Sequence, residues 1–311
     1  MRLPFRHPGL NVLLMIVKST PSMQMNYSVF SASMRYAIIS CMKKETDYIE
    51  SSCELLDRVR EKAPLVHCMT NTVVTGYTAN CLLAFGAAPA MIDDATEAAQ
   101  FAAITGGLLI NVGTITETQA EAMRGAVDAA NRAKRPWVLD PVAVGFLSLR
   151  TALATELKSK SPAIIRGNAS EIMALAGFKS TGRGVDSTAA VNDAKDAAEL
   201  LCVQTGAAVL VTGAIDYVCA VGRMPASIAN GSPIMTRVTG VGCAQGAIAA
   251  ALAAVGDDRY LAAVATALIM GVAGEIAAMN ATRPGAYQIA LLDALDAIDA
   301  DALRARGKVS T

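Results

Sequence analysis

The sequence predicts a single α/β domain in which helices cover both faces of a mostly parallel sheet. From Asp47 onward, short apolar runs alternate with amphipathic helical patterns, as is typical of parallel strands joined by crossover helices. The 311 residues, of which 53% are hydrophobic, are enough to bury a large core. Because no repeat or linker-like stretch interrupts this alternation, one domain is expected.

The first half of the domain contains four of the predicted strands. The predicted elements are a helix over 48–63, a strand over 64–68, a helix over 73–85, a strand over 87–91, a helix over 95–104, a strand over 108–112, a helix over 117–132 and a strand over 137–140. Asp93 and Asp94 can cap helix 95–104, because a carboxylate accepts hydrogen bonds from the first helical amides. Strand 137–140 ends at Asp-Pro, since proline lacks a donor and disfavours helix in the residue before it.

The second half changes character towards its end. Strands are predicted over 163–166 and 207–211 with a helix over 191–204 between them, followed by strands over 216–221, 227–229 and 234–238. From Ala244 the chain is predicted to be helical throughout. The apolar stretch 261–273 is bounded by charged residues and is interpreted as a buried core helix.

The formal charge of zero is the sum of two unlike segments. No Asp or Glu precedes Glu45, so residues 1–41 form a basic, acid-free leader, whereas residues from Met42 on hold 23 basic and 27 acidic side chains. The leader has features of a signal peptide, of a transit peptide, or of an upstream stretch before a start at Met42. The last interpretation is favoured, because a charged helical run begins abruptly there. The predicted enzyme domain is therefore 42–311.

Composition excludes several classes of function. A pI near 6.7 and 5% aromatic residues argue against a nucleic-acid binder. The apolar run 10–17 is shorter than the roughly 20 residues that a membrane span requires. The seven cysteines form no CxxC pair, and His67 is the one histidine outside the leader, so neither a zinc site nor a disulfide framework is expected. A reducing cytoplasmic location follows.

Ligands of parallel α/β sheets bind outside the carboxyl ends of the strands. At one of these ends, after the predicted strand 234–238, two glycines precede a predicted helix. The sequence from Val238 to Gln245 reads VTGVGCAQ, which is either an ordinary glycine-rich helix start, favoured on the glycines alone, or an anion hole formed by Gly242 and Cys243 at the helix N-terminus. The segment lacks the lysine of a P-loop. It also lies near the end of the fold, whereas a dinucleotide fingerprint lies at the first strand-to-helix turn. Cys243 is either a thiol whose pKa the helix lowers, able to act as a base, or a small buried hydrophobe.

Further polar residues follow other predicted strands. Arg166 offers a planar donor fork for phosphate. Glu171 either completes a capping box with Asn168 or helps to hold Mg²⁺ beside a polyphosphate. Asp140 is a second metal candidate, or simply ends its strand.

Two weaker candidates lie in other loops. Thr212 places a hydroxyl at a strand end, where it can contact a nucleotide. Asn71 begins an otherwise apolar helix, either as a cap or as part of a small-molecule pocket. A hydrolase is disfavoured, because no GxSxG elbow accompanies His67.

These segments, in this order, resemble the hydroxyethylthiazole kinase family of the ribokinase-like superfamily. The stretches that carry the resemblance are PLVHCMTNTVVTGYTAN (64–80), GAAPAM (86–91), NVGT (111–114), VLDPVAVG (138–145), IRGNASEI (165–172), VTGAID (211–216), VTGVGCAQ (238–245) and RPGAYQIALLD (283–293). The resemblance extends from about residue 47 to the end of the chain.

The resemblance implies a fold and an activity. The fold would be a ribokinase-like three-layer α/β/α sandwich. The reaction would be ATP-dependent, Mg²⁺-assisted phosphorylation of the hydroxyl of 4-methyl-5-(2-hydroxyethyl)thiazole in thiamin salvage. The chain would form a homotrimer with active sites at subunit interfaces, without nucleic-acid or membrane partners.

The resemblance also implies roles for individual residues. Arg166 and Thr212 would contact ATP; Met91, Gly240, Asn71 and Val73 would contact the thiazole; Glu171 and Asp140 would serve the Mg²⁺–phosphate network. Cys243 would be catalytic, at the position where many superfamily kinases place an aspartate base.

Other functions remain open at this point. One is a related kinase of hydroxymethylpyrimidine or pyridoxal, and another is a lyase of the NAD(P)HX-dehydratase type. An aspartate where Cys243 stands would have favoured either. A ligand-binding relative without activity is a third possibility, disfavoured because both glycine-containing motifs look intact.

Overall fold

The computed structural model describes the backbone of residues 32–178 and 188–311, and the side chains of residues 47–178 and 193–311. The chain divides into two compact units, residues 1–43 and residues 44–311. Residues 1–31 of the predicted leader lie outside the described residues. The predicted division at residues 41 and 42 therefore stays a prediction.

The centre of the second unit is a nine-stranded sheet. Its strands are β1 (Leu65–Met69), β2 (Ala88–Ala90), β3 (Gly107–Asn111), β4 (Trp137–Asp140), β5 (Ile164–Asn168), β6 (Ala208–Thr212), β7 (Asp216–Cys219), β8 (Ala226–Ile228) and β9 (Val309–Ser310). Their order is β2-β1-β3-β4-β5-β6-β7-β8-β9. Strands β1 to β6 run parallel, and β7, β8 and β9 each pair antiparallel with the strand before them in the sheet. The predicted mostly parallel sheet is confirmed.

Helices cover both faces of this sheet. They are α1 (Ala32–Lys62), α2 (Thr75–Phe85), α3 (Ala98–Ile104), α4 (Glu117–Arg132), α5 (Ser148–Leu157), α6 (Ala169–Ala176), α7 (Thr188–Thr205), α8 (Val241–Val255), α9 (Arg259–Asn280), α10 (Pro284–Ala297) and α11 (Ala300–Arg306). Side chains of α1, α2 and α8 to α11 form one core cluster with the sheet, and those of α3 to α7 form the other. The predicted three-layer α/β/α sandwich is confirmed.

Strand β4 shows why the parallel strands are continuously apolar in sequence. Val138 packs into the cluster on one face, whereas Trp137 and Leu139 pack into the cluster on the opposite face. Both faces are buried, so successive side chains must all be apolar although they point in opposite directions. The indole Nε1 of Trp137 donates to Asn131 Oδ1 at 3.1 Å, which satisfies its one polar atom.

Helices α1 and α3 begin elsewhere than predicted, and α2, α7 and α8 begin two or three residues from their predicted starts. Helix α1 begins at Ala32 rather than at Tyr48, because the residues between contain neither glycine nor proline to stop a helix. Helix α3 begins at Ala98 rather than at Ala95. The Asp94 carboxylate instead caps the preceding turn, accepting from the amides of Thr96 at 2.8 Å and Glu97 at 3.3 Å.

The prediction of a strand over 234–238 is wrong. Residues Pro233–Arg237 form a 3₁₀ helix, which Pro233 opens and in which the Ser232 amide donates to Met235 Sδ at 3.4 Å. The local start signal of Ser-Pro thus overrides the apolar character of the run.

Two further elements differ from the sequence prediction. The tail is not helical throughout, since β9 adds an antiparallel edge strand to β8. Helix α5 was not predicted at all.

Helix α9 is the expected buried core helix. Within the part of the chain that the structure describes, it is the one helix long and apolar enough to cross a membrane. Of its most apolar window, 78% is buried inside the protein. Tyr287 of α10 donates a hydrogen bond to the Gly274 carbonyl of α9 at 3.0 Å, which joins the two helices.

His67 on β1 makes the stability of the fold depend on pH. Its Nε2 donates to the Ile92 carbonyl at 2.7 Å and its ring stacks edge-on against Phe101, while its Nδ1 is buried without a hydrogen-bond partner among the described residues. Burial lowers the pKa of His67. The folded protein therefore keeps the imidazole neutral at pH values at which the unfolded chain, with a pKa of about 6.5, binds a proton.

We expect the free energy of unfolding of the wild type to fall more than that of His67→Gln between about pH 7 and about pH 5. Glutamine keeps a donor for the Ile92 carbonyl but does not titrate. Denaturant unfolding at both pH values measures the difference. Burial raises the pKa of Asp140 to about 7 and that of Asp216 to about 6. Both groups titrate in both proteins, so their contributions to the pH dependence of unfolding cancel in the comparison. Equal pH dependence in the two proteins would show that His67 is not the source.

Candidate active site

A cavity of about 630 Å³ opens at the carboxyl ends of β5 and β6. Arg166 and Thr212 line it from these strands, and Gly242 and Gln245 line it from the first turns of α8. The opposite wall comes from residues 230–236 and from Met270 of α9. The two residues predicted to contact ATP therefore share one cavity with Gly242 of the predicted anion hole, whereas Cys243 is not among the residues that line it.

Gly240 is the N-cap residue of helix α8, and the first amides of this helix are available to a ligand. Gly240 has φ of +96°, a conformation that favours glycine, and an added Cβ would lie 2.9 Å from Cδ1 of Tyr77 and 3.0 Å from Cγ1 of Val74. The first hydrogen bond of the helix joins the Ala244 amide to the Gly240 carbonyl at 2.8 Å. The amides of Val241, Gly242 and Cys243 thus precede the helical ladder and suit an anion.

The Arg166 guanidinium is held from three sides. Its Nε donates to Gln245 Oε1 at 3.0 Å, and its Nη1 lies 3.6 Å from Asp140 Oδ1. The third side is the backbone of Gly242, where an added Cβ would be only 2.8 Å from Arg166 Nη2. With 9% of its surface exposed, Arg166 presents only the edge of its donor fork to the cavity.

A chain of hydrogen bonds links Cys243 to Asp140. Asn71 Nδ2 donates to Cys243 Sγ at 3.2 Å and to Asn111 Oδ1 at 3.1 Å. Asn111 Nδ2 in turn donates to Asp140 Oδ2 at 2.7 Å, and its Oδ1 also accepts from the Gly113 amide at 3.0 Å. Because Asn111 is fully buried, the chain fixes Asn71 and Cys243 relative to the sheet.

Of the two alternatives for Cys243, the surroundings favour a thiol whose pKa is not lowered. Burial raises the pKa of the thiol, and the nearby Asp140 raises it further, whereas hydrogen bonds from Asn111 and Asn71 and the charge of Arg166 oppose the shift. Removal of the half-buried sulfur from water is thus the largest influence on the thiol. Cys243 is therefore a neutral thiol at physiological pH in the ligand-free protein.

Asp140 is a fully buried carboxyl group with one oxygen to spare. Burial raises its pKa to about 7; the charge of Glu171 acts in the same direction, and Arg166 and Asn111 oppose it. Its Oδ2 is bonded to Asn111, whereas Oδ1 has no hydrogen-bond partner among the described residues. A cation or a water molecule would satisfy this oxygen.

Glu171 performs the capping role that the sequence allowed. Its Oε2 accepts from the Asn168 amide at 2.9 Å, and Asn168 Oδ1 accepts from the Glu171 amide at 3.0 Å, which is a capping box. Its Oε1 accepts from the amide of Ala143, which lies in the loop after β4 with φ of +55°. Glu171 thereby ties the start of α6 to that loop.

The candidate metal residues fit Mg²⁺ but not a metal that needs a full protein cage. The described part of the chain contains no cluster of three His, Cys, Asp or Glu side chains that could hold a metal ion. Mg²⁺ is commonly bound through one or two carboxylates together with water and substrate phosphates. Asp140 Oδ1, which accepts no hydrogen bond from the described residues and lies 3.6 Å from Arg166 Nη1, offers such a ligand, and the remaining lone pairs of Glu171 can accept water.

The four residues predicted to contact the thiazole lie on the β1–β2 side of the same edge. Asn71 follows β1 and is buried, whereas Met91 directly follows the neighbouring β2 and is half-buried against the core. Gly240 lies against Val74 and Tyr77 of the segment after β1. Val73 is 68% exposed and is therefore not enclosed by the described residues.

Sequence reasoning missed three polar residues that organise the site. Asn111 ends β3, Asp216 begins β7, and Gln245 lies in the second turn of the glycine-led helix α8. All three fall within the stretches that carry the family resemblance. Asn111 also ends a strand, which was the available signal, because polar side chains at the carboxyl ends of parallel strands face the ligand edge.

Comparisons with known proteins agree with this geometry. The sequence model of the hydroxyethylthiazole kinase family matches residues 56–301. The chain is 53% identical to hydroxyethylthiazole kinase of Akkermansia muciniphila over 258 residues, which is 83% of this chain and 95% of that protein. It is 54% identical to the hydroxyethylthiazole kinase of Klebsiella pneumoniae strain 342, covering 76% of this chain and 91% of that protein.

Solved structures show the same relationship in three dimensions. The hydroxyethylthiazole kinase of Pyrococcus horikoshii superposes with a TM-score of 0.76 at 35% identity, covering 83% of this chain and 97% of that one. Pyridoxal kinase from Staphylococcus aureus, in complex with AMP-PCP and pyridoxal, superposes with a TM-score of 0.51 at 14% identity, covering 68% and 87%. The second similarity is one of fold alone.

The contact between Gly242 and Arg166 predicts the effect of adding one methyl group. In Gly242→Ala the new Cβ would displace the guanidinium, and we expect the Kd for ATP to rise about tenfold, because hydrogen bonds to charged groups contribute about 1.5–3 kcal/mol. Gly285→Ala is the matched control, since a Cβ at exposed Gly285 meets nothing within 4 Å. Isothermal titration calorimetry measures both variants. Equal affinities would mean that Arg166 is not confined by Gly242.

Proposed function

The chain belongs to the hydroxyethylthiazole kinase family, and we propose that it transfers the γ-phosphoryl group of ATP to the hydroxyl of 4-methyl-5-(2-hydroxyethyl)thiazole, as in thiamin salvage. One observation carries the proposal. The first amides of α8 and the Arg166 fork converge on one cavity, and Cys243 and Asn71 lie at the same helix start. This arrangement suits a phosphate on one side and a small alcohol on the other.

ATP occupies the cavity of about 630 Å³ between β6, the start of α8 and residues 230–236. The Thr212 hydroxyl, whose bond to the Gly167 carbonyl is long at 3.4 Å, donates to the nucleotide. Arg166 binds the polyphosphate through the edge of its guanidinium. The amides of Gly242 and Cys243 form the anion hole that receives charge on the transferring phosphoryl group.

Asp140 and Glu171 would hold Mg²⁺, Asp140 through Oδ1, which accepts no hydrogen bond from the described residues, and Glu171 through water. The bound ion would neutralise charge on the β- and γ-phosphates. Asn111 keeps Asp140 in place, and Arg166 lies beside Asp140. The guanidinium and the carboxylate that would hold the ion would therefore both lie next to the phosphates.

The thiazole alcohol binds beside Asn71, Val73, Met91 and Gly240, with its hydroxyl at the Cys243 thiol. Asn71 Nδ2 donates to the sulfur and so directs the S–H proton elsewhere. A loose transition state demands little deprotonation of the attacking hydroxyl before transfer, so a neutral thiol is compatible with turnover. A neutral thiol is not basic enough to take a proton, so Cys243 orients the hydroxyl, whose proton passes to an oxygen of the transferred phosphoryl group or to water.

We further propose a homotrimer with active sites at subunit interfaces, located in the cytoplasm. The exposure of Val73 supports the assembly, because a substrate-contacting residue that is 68% exposed needs another surface to exclude water. Six described cysteines are free thiols and five of them are buried, which suits a reducing compartment. Light scattering coupled to size-exclusion chromatography measures the assembly.

The test of this function is ADP release by the purified full-length chain with ATP and Mg²⁺. Three alcohols are compared: hydroxyethylthiazole, hydroxymethylpyrimidine and pyridoxal. We expect release that depends on the thiazole, with a higher kcat/KM than for the other two. Preference for pyrimidine or pyridoxal would assign the chain to another kinase of the superfamily, and turnover of hydrated NAD(P)H would assign it to the dehydratases.

Cys243→Ala is expected to lower kcat less than the 10²–10⁴-fold, roughly, that loss of a general base costs, because the thiol is neutral and transfer needs little base. Arg166→Ala provides the contrast and should raise the KM for ATP more than it lowers kcat. Steady-state kinetics with both substrates varied separates the two effects. An unchanged kcat in Cys243→Ala would remove the orienting role of the thiol, and a loss of kcat as large as that for a general base would contradict the neutral thiol.

A further inference from the structure

Asn230, which follows β8, joins one wall of the cavity to a distant part of the chain. It lines the cavity with only 7% of its surface exposed. Its Nδ2 donates to the Arg306 carbonyl at the end of α11 at 2.8 Å, and its Oδ1 accepts from the Lys308 amide at 2.7 Å. The Ala229 amide adds a backbone hydrogen bond to the Lys308 carbonyl at 2.9 Å. This wall of the cavity is therefore held by the segment between α11 and β9.

Glu275 of α9 completes this attachment. Its Oε1 accepts three hydrogen bonds, from Lys308 Nζ at 2.8 Å, Asn230 Nδ2 at 3.1 Å and the Gly231 amide at 3.2 Å. Burial acts to raise the pKa of Glu275, but these hydrogen bonds outweigh burial and hold the pKa below its usual value. Glu275 is therefore a carboxylate at neutral pH, and a carboxylate only accepts. One oxygen of α9 thus fixes two successive residues of the cavity wall.

The surface of α9 beneath this wall consists of glycines. A Cβ added at Gly271 would lie 2.6 Å from Asn230 Cβ, and a Cβ added at Gly274 would lie 2.6 Å from Met235 Sδ. Residues three apart lie on the same face of a helix, so both ends of the wall pack directly on the backbone of α9. Packing sets how closely the wall approaches α9, and the hydrogen bonds to Glu275 set its position along the helix.

The wall differs in chemistry from the side of the cavity that α8 provides. Pro233, Met235 and Met270 contribute apolar groups, whereas the side with Arg166 and the first amides of α8 attracts anions. ATP has a matching division, since its base and ribose are uncharged and its phosphates carry the negative charge. With the phosphates at Arg166, as in the proposed function, the nucleoside would lie against residues 230–236.

We infer that Glu275 is a positioning residue of the kinase site: it holds Asn230 and Gly231 so that residues 230–236 form the wall against which the nucleoside of ATP binds. The inference rests on the proposed function, in which ATP occupies the cavity. Glu275 is not a lining residue of the cavity and acts on ATP only through the two residues that it holds.

Two substitutions separate the acceptor of Glu275 from its charge. Glu275→Gln keeps an oxygen that can accept from Asn230 and from the Gly231 amide, whereas Glu275→Ala leaves both without this acceptor. The matched control is Glu121→Ala, which removes the same side chain from an exposed position of α4.

The readouts for these full-length proteins are the Kd values for ATP and tripolyphosphate by calorimetry, and kcat and KM for each substrate. We expect Glu275→Ala to weaken ATP binding about tenfold, the range for a hydrogen bond to a charged group, and Glu275→Gln to retain most of the affinity. Tripolyphosphate, which carries the phosphates without the nucleoside, should bind equally to all of them. The KM for the thiazole alcohol, and kcat at saturating ATP, should not change.

Three results would overturn the inference. One is an ATP affinity of Glu275→Ala equal to that of Glu121→Ala, and another is an equal loss of affinity for tripolyphosphate and for ATP. The third is a rise of both KM values together with a lower kcat, which would give Glu275 a merely structural role.

A gentler substitution decides the matter should Glu275→Ala not fold. Lys308→Met removes one of the three donors to Glu275 from an exposed side chain and leaves the backbone hydrogen bonds of Lys308 in place. It must weaken ATP binding about threefold, the range for a partly exposed ion pair, without changing the KM for the thiazole alcohol. An unchanged ATP affinity in Lys308→Met would then overturn the inference.

The outcome is distinguishable from failure of the proposed function. If the wild type binds ATP but releases no ADP with the thiazole alcohol, the proposed substrate is wrong, and the ATP affinities still test the role of Glu275. If the wild type is active and Glu275→Ala binds ATP normally, only the positioning role fails.

Discussion

The burial of one carboxyl group, Asp140, organises the whole ligand edge of the sheet. A carboxylate without exposure is costly unless hydrogen bonds and opposite charge surround it. Asn111 supplies the hydrogen bond, Arg166 supplies the charge, and Gly246 lets α8 approach, since an added Cβ there would lie 3.3 Å from Asp140 Oδ2. Because these partners come from three different elements, satisfying Asp140 also places them relative to one another.

The same network divides the chemistry of the site. On one side Arg166, Gln245 and the first amides of α8 face the proposed polyphosphate, and on the other side Asn71 and Cys243 face the proposed alcohol. The predicted domain carries a net charge of −4, so attraction of ATP must be local rather than general. Phosphoryl transfer requires positioning and charge neutralisation more than covalent chemistry, and a network of fixed donors supplies the first.

The sequence predicted the sheet well because parallel strands buried on both faces are continuous apolar runs, as in Leu108–Ile110. It failed at residues 234–238, where Ser232 and Pro233 start a 3₁₀ helix in an otherwise strand-like run. The sequence identified Arg166, Asp140 and Glu171 because the stretches that resemble the kinase family fall at the carboxyl ends of β4 and β5. It could not give the sign of the Cys243 pKa shift, which depends on burial and on Asp140, a residue far away in sequence.

A crystal structure of the chain with AMP-PCP, Mg²⁺ and the thiazole alcohol would test most directly whether the start of α8 receives the transferred phosphoryl group. The account predicts the terminal phosphate within hydrogen-bond distance of the Gly242 and Cys243 amides and of Arg166, with the alcohol oxygen beside Cys243 Sγ. A terminal phosphate bound away from the α8 N-terminus, or an alcohol bound away from Cys243, would contradict it.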